Sequence, residues 1–140
     1  KPDAKPALAF IKGFGFRAGA IASTVAHDCH NIIGVGVDDA EIQAAINAVI
    51  EVKGGIAVAR SVTDVSCMPL PIAGLMSDEC GSVVGARYAL LSAAAKSLGS
   101  SLNAPFMTLS FMALLVIPSL KLSDKGLFDG ERFQFCSLII

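Results

Sequence analysis

The chain has 140 residues, with 54% hydrophobic and 16% charged side chains and a formal net charge of −1. That is the size of one domain with its own core. There is no basic excess to neutralise phosphates, which excludes nucleic acid as an expected partner. The apolar surplus suggests that part of the exterior normally faces another domain or subunit.

In chain order, Lys1-Pro2-Asp3 carries neither Met nor a signal-peptide pattern and reads as a start in mid-protein. Residues 1–12 are a linker or, over Ala7–Lys12, a first strand. Gly13-Phe14-Gly15-Phe16-Arg17-Ala18 fits a relaxed dinucleotide fingerprint, but no helix opening follows, so a turn between two strands is the better reading. Gly19–Val25 and Asn31–Val37 read as strands. Asp38 caps a helix and Glu41 completes a capping box, which leaves these carboxylates no catalytic assignment. Ile42, Ala45, Ile46, Val49 and Ile50 fall on one helical face, and Gly54-Gly55 ends it. Ile56–Ala59 and Val65–Met68 are paired strands around a turn at Arg60–Ser66.

Pro69-Leu70-Pro71 breaks regular structure. A second helix is expected from Ser77 or Asp78 to Leu98, with Asp78 and Glu79 in its first turn and Val84, Tyr88, Leu91, Ala95 and Leu98 on one face. Phe106–Ile117 is apolar nearly throughout, and periodicity does not decide between strand and buried helix. The Phe106–Pro118 run is too short to span a bilayer, so no membrane partner is expected. A turn at Lys125-Gly126 precedes a final buried strand over Phe133–Ile140. These elements predict a single α+β domain: a mixed β-sheet with two main helices packed on one face.

Chemistry is concentrated in His27-Asp28-Cys29-His30-Asn31, which holds both histidines of the chain. On a strand these side chains alternate; on a loop they could converge. Such a set can bind zinc, activate water or pair Cys29 with a histidine. No second cluster completes a metal site, and a polar turn bonded to its own backbone is the plain alternative. Cys29, Cys67, Cys80 and Cys136 form no CxxC pair and are expected as free thiols.

Four blocks, in order, resemble the C-terminal domain of adenine deaminases. They are Gly19–Asp28 with His30–Ile33, Leu70–Ser77, Pro105–Phe111 and Leu120–Leu127. One departure is Cys29, where the family leads one to expect Ser. The resemblance implies an enzyme of the amidohydrolase superfamily that hydrolyses adenine to hypoxanthine and ammonia with a metal-activated water. It implies Mn2+ or Fe2+ on a preceding (β/α)8 barrel, which is the domain's partner and is absent from these residues. A cytoplasmic homo-oligomer is implied as well. His27, Asp28, His30 and Asn31 are then expected to close the barrel's active site or shuttle protons, as supporting rather than sole catalytic groups. The fragment alone is expected to be inactive. A free-standing interaction or ligand-binding module is the alternative.

Overall fold

Alternating small and large side chains on short strands decide the architecture. The computed structural model describes residues 5–138. β1 (Ala20–Ser23) pairs antiparallel with β2 (Ile33–Gly36) and with β3 (Gly55–Ser61). β3 pairs with β4 (Asp64–Pro69), giving the order β2-β1-β3-β4. Along β1 and β3, Ala20, Ala22, Ala57 and Ala59 point to one face, and Ile21, Ile56 and Val58 to the other. The alanine face receives α1 (Asp39–Glu51) through Ala45 and Val49. Gly36 belongs to this close approach, since a Cβ there would lie 2.5 Å from the Ala20 Cβ and 2.7 Å from Ile42. The opposite face receives α2 (Gly81–Ser97) and α3 (Pro105–Phe111) through Leu91, Ala95, Leu98, Phe106 and Leu109. Each large side chain buried there contributes about 1.5–3 kcal/mol.

The α+β class and the two main helices are as expected. The pairing among the described residues, however, is antiparallel throughout and divided between two sheets. Helices cover both faces of the larger sheet, not one, because the centre of each face is apolar. Residues 7–12 form no strand: Leu8 and Phe10 are exposed and the segment has no ladder partner. The reading of Lys1-Pro2-Asp3 lies outside the described residues.

Asp38 caps α1 by accepting from the Ala40 N–H at 2.8 Å. Glu41 does not close a capping box. Its Oε2 accepts from the buried Gly19 N–H at 2.6 Å, tying the first turn of α1 to the start of β1. Ile50 leaves the buried stripe at 54% exposure. α2 begins at Gly81, later than expected, because Ser77 Oγ accepts from the Glu79 N–H and holds a separate bend. Glu79, before the helix, instead pairs with exposed Arg87 on α2. The ambiguous apolar run resolves into α3 followed by irregular turns.

The second sheet joins β5 (Leu120–Ser123), β6 (Gly126–Asp129) and β7 (Gln134–Cys136) in that order. β7 was expected to be buried and is not: Phe133 and Phe135 are exposed while their rings stand edge-on to buried Phe128, each at 5.3 Å. A three-stranded sheet has too little surface to bury its edge strand on both faces. Ile139 and Ile140, part of the expected strand, lie outside the described residues.

Candidate functional site

The polar segment is a turn at the end of the larger sheet where β1 stops and β2, β3 begin. The His30 N–H donates to the Ala26 carbonyl at 2.7 Å, and the His27 N–H to the Ser110 carbonyl at the end of α3 at 3.1 Å. These bonds fold the chain back, so that the two histidine rings stand edge-on with centroids 5.9 Å apart. His27 is half-buried and its ring lies 5.2 Å from that of Phe111. Asp28, Cys29, His30 and Asn31 are exposed. The turn thus brings His27 and His30 together and presents Asp28 and Asn31 outward. It does not gather a ligand set: among the described residues no three His, Cys, Asp or Glu side chains are placed to hold a metal ion. The four cysteines are free.

The strand end just before this turn is anchored by Thr24, a residue the sequence did not single out. Its hydroxyl accepts from the Gly55 N–H at 2.9 Å and donates to the Gly74 carbonyl at 2.5 Å. Its own N–H donates to the Gly55 carbonyl at 3.0 Å. One buried side chain therefore locks β1, the α1–β3 junction and the 70–76 loop together immediately before the polar turn. The loop is closed by the Ile72–Met76 bridge and leaves Ile72 and Met76 exposed beside the turn's end of the sheet. The signal for Thr24 was its position between a buried strand and a polar turn; its partners are backbone groups of glycines distant in sequence. Phe111 stood in the sequence only as the end of the Pro105–Phe111 block, with no signal that it would pack on His27.

Gly13 and Gly15 have positive φ, and Gly15 packs against the Gly99 carbonyl at the end of α2. β1 follows rather than a helix, so no dinucleotide-binding turn exists. Cys80 precedes α2. The Ser82 hydroxyl and then the Val83 N–H hold its thiol below the usual range, whereas burial first and Glu51 second push Cys67 up.

The profile of the family described as adenine deaminase C-terminal domain matches residues 1–134. This chain belongs to that family. An adenine deaminase of Salinibacter ruber is 55% identical over 134 residues, covering 95% of this chain and 24% of the relative. One of Sulfurovum sp. is 58% identical over 134 residues, covering 95% and 25%. One of Parabacteroides distasonis is 55% identical over 137 residues, covering 98% and 25%. The chain thus spans about a quarter of the length of the curated relatives it matches, their C-terminal portion. Family membership accounts for the order of the four sequence blocks, and the relatives' name is that of a hydrolase. Among the described residues of this family member, no helix is long and apolar enough to cross a membrane.

Proposed function

We propose that this domain serves an adenine deaminase that hydrolyses adenine to hypoxanthine and ammonia, and that its polar turn completes the active site of a preceding metal-bearing barrel. The observation that carries the reading is the pair of histidines held together on an exposed, chemistry-rich turn of an apolar domain. His30, exposed on its outer side, is the group placed to donate or accept a proton, and His27 is its support, wedged against Phe111. Asp28 and Asn31 offer an acceptor and an amide to the same space. In this reading the metal, manganese or ferrous iron, is held by the barrel. The domain by itself is inactive in this reading, and the full enzyme is a cytoplasmic oligomer.

The test is kinetic. In the full-length enzyme, His30→Ala should lower kcat for adenine by roughly tenfold or more, the lower side of what a positioned acid–base group supplies. The thermal midpoint should not change, because the side chain is exposed. His27→Ala should lower both, because it also leaves Phe111 uncovered. Unchanged kinetics in both variants would reduce the turn to a docking element.

A further inference from the structure

The two helical layers differ in what they show to the outside. α1 presents Asp39, Gln43, Asn47 and Glu51, a solvated face. α2 presents the exposed stripe Val83, Ala86, Leu90 and Ala93, opposite its buried residues, with Leu90 at 72% exposure. α3 adds Met107 and Phe111 on the same side of the sheet. Arg87 and Lys96 flank this stripe without interrupting it, so α2 carries apolar side chains on its outer side as well as its buried one. The α2/α3 layer thus exposes a continuous apolar stripe, whereas on α1 the exposed large apolar side chain is Ile50 alone among polar neighbours.

We infer that the outer face of α2 and α3 is the seat of the part of the natural chain that precedes residue 1. Three observations select that occupant. The relatives extend for about three quarters of their length beyond the portion matched here. The incoming segment reaches the fold at the C-terminal end of α2, where the Arg17 N–H donates to the Leu98 carbonyl at 2.8 Å and Gly15 lies against Gly99. The other end of the layer is the polar turn, bonded to the last turn of α3 through Ser110 and packed on Phe111. A single preceding domain lying along the layer spans from its own point of attachment to the His27–His30 pair, and buries the apolar stripe between them. The proposal rests on the reading that a preceding domain exists, but not on the catalytic role of the turn.

Thiol accessibility in the full-length chain tests it. Ala93→Cys on α2 and Asn47→Cys on α1 are labelled with a maleimide, and the label is located by peptide mass so that the native cysteines do not interfere. Position 93 should react at least about tenfold more slowly than position 47, because it reacts only when the layer opens. Leu90→Asp in the same background should raise the rate at 93 and leave the sedimenting mass unchanged. Equal rates at 93 and 47 would mean the layer is bare and would overturn the proposal. So would a Leu90→Asp variant that halves the sedimenting mass, since a second copy would then be the cover. Loss of turnover in the His30→Ala enzyme bears on neither outcome, so the two readings fail separately.

Discussion

Replacing Thr24 by Val keeps the shape of the side chain and removes its hydroxyl. The buried Gly55 N–H and Gly74 carbonyl then lose the partner that each has at 2.9 Å and 2.5 Å. An unsatisfied buried polar group costs about 1–3 kcal/mol, so two such groups together cost roughly 2–6 kcal/mol. Gly54 and Gly74 are packed too closely for water to enter without separation, since a Cβ on Gly54 would lie 2.5 Å from the Gly74 Cα. Thr24→Ser keeps the hydroxyl and loses one methyl, worth about 0.8 kcal/mol. Urea unfolding followed by far-ultraviolet circular dichroism should therefore order the variants wild type, Ser, Val, with an unchanged denaturant slope. In thermal melts the Val variant should fall by roughly 10 °C for a domain of this size. If Val were within about 1 kcal/mol of wild type, or Ser as damaging as Val, the hydroxyl bonds would not be what holds the 70–76 loop.

Two further outcomes follow from local geometry. Gly54→Ala should cost more than the usual ~1 kcal/mol of a glycine replacement, because φ is +123° and the new methyl meets backbone rather than a flexible side chain; a melt within 2 °C of wild type, by the same scale, would contradict the close contact. The cysteines should separate in a pH series of iodoacetamide labelling. Cys80, lowered by Ser82 and the Val83 N–H, should reach its half-maximal rate at a lower pH than Cys67, raised by burial and Glu51. Ser82→Ala should move the Cys80 profile upward; an unmoved profile would remove Ser82 as the cause.

Much of this protein was legible without coordinates wherever one local rule governs. The α1 stripe Ile42, Ala45, Ile46, Val49 and the α2 stripe Val84, Tyr88, Leu91, Ala95, Leu98 follow from a helical period that needs no tertiary knowledge. Asp38 was recognisable as a cap, and residues 27–31 as a polar segment between two strands, because both histidines fall within four residues in an apolar chain. The order of the four blocks carried the family. Where a local rule competed with a distant partner, the distant partner won. Glu41 has the spacing of a capping box, yet its carboxylate goes to the buried Gly19 N–H, a stronger claim than an exposed one at the helix start. The run from Phe106 resolved as helix only because Leu109 and Phe106 complete the core against Ile21 and Val58. The placement of helices on both sides of the sheet was decided by which face holds alanines and which holds isoleucine and valine, a distinction visible only once the strands are in register. Composition, at 54% hydrophobic, pointed to an apolar surplus. The tertiary structure decided which of those side chains lie exposed together, Val83, Leu90 and Met107 on the α2/α3 layer among them, because burial is a property of faces and a sequence lists residues one at a time.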